Sequence, residues 1–151
     1  MKSVNTAEKL VAGYSVADGI QAVEAGNTAL GMSIFSHLGS TEKSPLALSY
    51  EAFCIAKQHH AYQKAFILCN KALQLERSHP LIYLNLGRIY LASGSEAKAA
   101  QAFRRGLRLQ QHPQLLNMIN LLCKRRPRAF PFLDRSNPLN IISGKLLAKL
   151  F

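Results

Sequence analysis

Apolar residues return every three or four positions through most of this chain, in stretches separated by short breaks rich in Gly, His, Ser, Asn and Pro. That spacing lines apolar side chains along one face of an α-helix. Read this way, the pattern predicts helices at about 6–25, 28–39, 45–59, 62–76, 80–93, 96–110 and 113–124. A last helix is expected over about 138–151. There Asn137 serves as N-cap and Pro138 as first helical residue, Leu139, Ile142, Leu146 and Leu150 form one stripe, and Lys145 and Lys149 share another face.

The pattern also repeats. Shifted on itself by 34 positions, the chain aligns Gly19, Phe53 and Gly87 in one column, and Gly31, Ala65 and Ala99 in a second. Phe35, Cys69 and Phe103 form a third column, and Leu38, Ala72 and Gly106 a fourth. Gly26, His60 and Gly94 fall between the two helices of each copy, and Ser44-Pro45, His79-Pro80 and His112-Pro113 mark the junctions. Small residues are wanted where helices cross closely, because a larger side chain would hold the backbones apart. The Phe column fills the space between neighbouring hairpins. Glycines between the helices can take the left-handed conformation that ends a helix, and a proline starts the next one without loss of a hydrogen bond.

The third copy reads Tyr83-x2-Leu86-Gly87-x2-Tyr90, then Ala99-x3-Phe103, then Pro113. This resembles the signature of tetratricopeptide repeats, with Tyr83 in place of the usual Trp. The middle copy departs from it at Phe53, Ala56 and Cys69 but keeps Ala65 and Ala72; the first retains Gly19, Gly26, Phe35 and Leu38. The resemblance covers roughly residues 12–113. It implies an all-α fold, a right-handed superhelical solenoid of three helix-turn-helix repeats (about 12–45, 46–79 and 80–113), with a capping helix at 113–124 and a C-terminal helix beyond. The capping helix is expected to pack on the third repeat through Leu115, Met118, Ile119 and Leu122. The expected organisation is thus a solenoid over 1–124, followed at 125–151 by a basic extended segment and an amphipathic helix.

At 151 residues, 48% of them hydrophobic and 18% charged, the chain is long and apolar enough to bury a core. Its formal net charge of +11 is unevenly spread. The net is −1 over residues 1–44, +2 over 45–79, +4 over 80–113 and +6 over 114–151. Such a ramp points either to an anionic neighbour for the C-terminal half or to a solvated basic surface. Three cysteines, Cys54, Cys69 and Cys123, lie inside apolar helical patterns without paired spacing, which argues against a disulfide framework and for a cytoplasmic location. The N-terminal residues lack the apolar run of a signal peptide, and no stretch approaches the roughly 20 apolar residues of a spanning helix.

The most basic segment combines Lys124, Arg125, Arg126 and Arg128 with Lys145 and Lys149. Pro127 and Pro131 make its beginning extended. The string Pro131-Phe132-Leu133-Asp134-Arg135-Ser136-Asn137-Pro138-Leu139-Asn140 is similar to a tail of some small bacterial tetratricopeptide proteins, which implies no particular chemistry. Three roles stay open for it: folding back as a second cap, docking a partner or another copy, or lying on an anionic membrane surface.

No catalytic constellation is legible. No two of the eight carboxylates stand three or four positions apart, no phosphate-cradling glycine loop occurs, and His59 and His60 diverge by about 100° on a helix. Neither enzymatic activity nor a cofactor or metal is expected. The resemblance implies instead a groove lined by the first helix of each repeat, which takes an extended peptide or a partner helix. Tyr50, Lys57, Asn85 and Arg88 are the expected contact residues, since tyrosine offers a rigid amphipathic surface and the cations can hold a carboxylate. Some relatives clamp a peptide's terminal carboxylate with Lys and Asn of the first repeat. Val16 and Ile20 stand there in this chain, which disfavours chaperone tails as ligands. The expected function is therefore a scaffold for a protein or peptide partner of acidic character. The alternative is association with nucleic acid or an anionic membrane through the basic C-terminal region. An apolar edge on the degenerate first repeat would also allow two copies to pair.

Overall fold

The computed structural model describes residues 13–39 and 43–125, and among these it is all-helical, with no strand. Seven helices follow one another: α1 (Val16–Glu24), α2 (Thr28–His37), α3 (Pro45–His59), α4 (Tyr62–Leu75), α5 (Pro80–Ala92), α6 (Glu96–Leu109) and α7 (Pro113–Arg125). The expected ends of six of them agree within two residues. The first expectation, a helix from about residue 6, is corrected at 13–15, which are not helical. Ser15 accepts from the Asp18 backbone N–H, and the Asp18 carboxylate accepts from the Ser15 N–H at 2.7 Å. This reciprocal cap satisfies backbone donors that a longer helix would have used internally, so α1 starts at Val16. The expected helix at 138–151 lies outside the described residues.

Helices pair in sequence as α1 with α2, α3 with α4, and α5 with α6. Two of these hairpins close by the same device. Gly26 (φ 89°) and Gly94 (φ 80°) take left-handed backbone after α1 and α5. In each, two backbone N–H groups return to the last turn: Gly26 to Val23 O and Asn27 to Ala22 O, Gly94 to Leu91 O and Ser95 to Tyr90 O. This is the Schellman arrangement, which answers carbonyls that a helix end leaves open. In the middle hairpin His60 holds the equivalent position at φ 54°, left-handed backbone that a side chain makes costly.

In the first and third hairpins two of the aligned columns meet. A β-carbon built on Gly19 would lie 2.8 Å from the Phe35 ring, and one on Gly87 would run into the Phe103 ring. Both rings are fully buried, so in the outer hairpins a phenylalanine of the second helix packs directly against a glycine of the first. Gly31 faces Val23 in the same hairpin as Gly19 and Phe35, which places α1 and α2 antiparallel. The middle hairpin reverses the volumes. Phe53 stands on the first helix, while the second contributes the buried Cys69.

Successive hairpins meet through α3 against α1, α2 and α5, and through α4 against α5. Two apolar clusters form there. One gathers Phe35, Ala47, Tyr50 and Cys54; the other gathers Ala65, Cys69, Ile82 and Ile89; and Phe53 packs against both. Beyond α6, the fully buried Leu115 of α7 presses on Gly106, where a β-carbon would come within 2.8 Å of it. Burying one such aliphatic or aromatic side chain contributes about 1.5–3 kcal/mol. No helix among the described residues is long and apolar enough to cross a membrane.

Candidate functional site

The junction prolines fix where the first helix of each later hairpin begins, and so which side chains it turns to its neighbours. Ser44 caps α3 by accepting from the Ala47 N–H at 3.2 Å. At α5 the ring Nδ1 of His79 takes this role, accepting from the Leu81 N–H at 3.3 Å. His112 accepts likewise from the Gln114 N–H at 3.4 Å, ahead of Pro113. The histidines at the junctions thus act as helix caps.

With the helices so placed, α1, α3, α5 and α7 converge on one carboxylate, that of Glu24. The Tyr50 hydroxyl donates to Glu24 Oε1 at 2.7 Å. The Arg88 guanidinium donates through both terminal nitrogens, Nη1 to Oε1 at 2.8 Å and Nη2 to Oε2 at 3.1 Å. The Gln114 amide completes the set on Oε2 with a short hydrogen bond. Behind this cluster Arg88 Nη1 also donates to Asn85 Oδ1 at 3.3 Å, Asn85 Nδ2 donates to Ser49 Oγ at 2.9 Å, and the Ser49 hydroxyl donates to Leu46 O at 2.7 Å. The guanidinium carbon sits 5.4 Å from the centre of the Phe53 ring, within cation–π range.

Side-chain exposures of 17% for Arg88 and 25% for Glu24 leave the pair at the edge of solvent. Burial works against the negative charge of Glu24. The Arg88 hydrogen bonds, the Tyr50 hydroxyl, the Arg88 charge and the Gln114 amide outweigh it and hold the carboxyl below its ordinary value. Tyr50 moves the other way: burial, then the carboxylate it donates to, push its phenol well above the ordinary tyrosine range. The cluster is therefore a fixed ion pair with a neutral phenol beside it. Bidentate guanidinium–carboxylate geometry makes such a pair directional as well as attractive.

Three of the four expected contact residues meet here. Tyr50 and Asn85 are fully buried, Arg88 is half-buried, and only Lys57, in the last turn of α3, is exposed. Among the described residues Lys57 makes no hydrogen bond or ion pair. Of the basic patch, Lys124 and Arg125 end α7 with side chains outside the described set, and Arg126, Arg128, Lys145 and Lys149 lie outside the described residues altogether.

Glu24 was not legible as a member. Its partners stand 26, 64 and 90 positions away, so no local spacing reveals them. One signal was available. An acidic residue in the last turn of a helix opposes the helix dipole, and so asks for a cation from elsewhere.

Cys54 and Cys69 are buried, and burial pushes each thiol up to about 12, far from reactive thiolate character. Among the described residues there is no group of three or more His, Cys, Asp or Glu arranged to hold a metal ion. Compared with protein-family models and with curated proteins, the chain finds no match among either.

Proposed function

We propose that this chain is a helical-repeat binding protein that holds a segment of another protein along the first helices of its hairpins. More specifically, we read it as a solenoid of the tetratricopeptide type, without enzymatic activity of its own. The observation that carries this is the recurrence of the same glycine-on-phenylalanine contact, Gly19 with Phe35 and Gly87 with Phe103, two repeat lengths apart. Hairpins closed alike and placed in succession line up their first helices, and α1, α3 and α5 do touch one another in order.

In this proposal the buried Tyr50, Asn85 and Ser49 are positioning residues. They hold Arg88 and Glu24 at a set place on the binding face, while Lys57 and the exposed edge of Arg88 meet the partner. A rigid floor reduces the ordering that binding would otherwise require.

Photo-crosslinking tests it. A crosslinking amino acid is placed at position 21 on α1 or position 57 on α3, with position 70 on α4 as control, all three exposed. A shared adduct from positions 21 and 57, absent from position 70, is expected in extract of the native cell. Equal labelling at all three positions, or none at 21 and 57, would remove the groove from the proposal.

A further inference from the structure

Helix α6 turns a row of cations outward. Lys98, Arg105 and Arg108, with Gln101 between them, recur at helical spacing, and Arg104 stands beside the row. Arg77, just past the end of α4, faces the same region. Among the described residues none of these five makes a hydrogen bond or an ion pair with a carboxylate.

Two grooves open along the row and share Arg105 and Arg108. The first, of about 560 Å³, has Leu86, Tyr90 and Ala102 in its wall, with Lys98 and Arg104 at its rim. The second, of about 380 Å³, is walled by Leu73, Tyr83 and Leu109, with Arg77. Apolar and exposed cationic side chains thus line both. None of these residues belongs to the Glu24 cluster.

The chain has few carboxylates to offer this row. It carries 19 Lys and Arg against 8 Asp and Glu, and Glu24, Glu51 and Asp18 are already engaged by Arg88, Lys43 and Ser15. Among the described residues these five cations hold no carboxylate, Glu76 and Glu96 included, and around an apolar trough they attract an anion from another molecule.

We propose that this double groove is a second interaction site, for an acidic amphipathic segment of another protein. Its carboxylates would meet Arg105, Arg108 and Lys98, and its apolar side chains would fill the spaces over Tyr90 and Tyr83. Single-stranded nucleic acid fits less well. Base stacking needs free aromatic faces, and the Tyr90 ring is already engaged by Phe66, with centroids 4.7 Å apart, and by Lys98, whose amine is 5.9 Å from the ring centre. An anionic bilayer takes up several protruding apolar groups, whereas Leu86 of the first groove is only 9% exposed and Leu109, at 47%, is a single protruding leucine in the second. The site goes beyond the first-helix groove and does not depend on it.

The test uses the full chain and a fluorescent helical peptide of about 15 residues, with Glu and Leu on adjacent faces, read by anisotropy in about 0.1 M salt. Binding is expected. It should weaken about tenfold or more in Arg105→Glu/Arg108→Glu and about threefold or more in the milder Arg105→Gln/Arg108→Gln. Lys64→Glu/Lys71→Glu, the same charge change on exposed residues of α4, should leave it within about twofold. A peptide with every Leu replaced by Ser should bind clearly more weakly. Absence of binding, equal loss in both charge-reversed proteins, or tighter binding of single-stranded RNA or of phosphatidylserine vesicles than of the peptide would each overturn the site.

Discussion

Arg88 grips the Glu24 carboxylate with two parallel hydrogen bonds although 64 positions of chain separate them. The pair ties the end of the first helix to the third hairpin, with Tyr50 and Gln114 closing around it. Replacing Arg88 by Ala removes the cation but leaves Glu24 half desolvated. The expected loss is about 1–3 kcal/mol in urea unfolding, since hydrogen bonds to a charged group are the stronger ones. Glu24→Gln/Arg88→Leu, which removes both charges, should recover part of it. A loss no smaller in the double variant would show that the pair itself is not what stabilises this face.

The same carboxylate sets a pH dependence. Its folded value lies below the ordinary 4.5, so the carboxylate contributes fully above that value. The contribution disappears as pH falls through the depressed folded value. Unfolding free energy of the native protein should therefore drop more steeply between about pH 5 and pH 3 than that of Glu24→Gln. Parallel curves for the two proteins would contradict the direction of the shift.

Packing at the glycine contacts leaves no room for a methyl group. Gly87→Ala drives its β-carbon into the Phe103 ring and is expected to destabilise by about 1–3 kcal/mol. Trimming the ring at the same time, as Gly87→Ala/Phe103→Leu, should cost less than the sum of the two single changes. Thermal melts of the four proteins form a cycle whose coupling reads the contact directly.

His60 holds left-handed backbone that glycine would occupy freely. Glycine also loosens the unfolded chain and gives up the contact of the imidazole Nδ1 with the Tyr62 hydroxyl at 3.0 Å. The relief of strain is the larger effect, so His60→Gly should stabilise by about 0.5–1 kcal/mol, seen as a higher melting temperature. A lower melting temperature would mean that the imidazole contact outweighs the backbone.

Thiol reagents should separate the cysteines. In the native protein at about pH 8 only Cys123, which is exposed, is expected to react within minutes. Cys54 and Cys69 should appear on addition of denaturant. Fast labelling of two or three thiols in buffer would show that the apolar clusters around Cys54 and Cys69 open readily.

Much of the helical framework was legible because it rests on residues whose demands are local. The prolines at 45, 80 and 113 set helix starts, and the column of Gly26, His60 and Gly94 sits where each hairpin turns, now seen as positive φ in all three. The start of α1 was legible too, in the spacing of Ser15 and Asp18, but helical periodicity further upstream concealed it. The site was legible only in part. Tyr50, Asn85 and Arg88 stand on first helices, which pattern alone reveals; that two of them are fully buried around an acid from α1 depends on how hairpins nest. Lys57 stands outside the cluster, in the last turn of its helix, one turn beyond Phe53.

The exchange of bulk in the middle hairpin, Phe53 forward and Cys69 behind, makes the three units non-interchangeable. Phe53 reaches out of its own unit to lie under Arg88 of the next, a contact that the glycines at 19 and 87 have no side chain to make. Shuffling the units, or restoring Phe at position 69 alone, would leave one seam overfilled or another empty. Their order along the chain is therefore written into the seams, each hairpin being shaped for the neighbour it packs against.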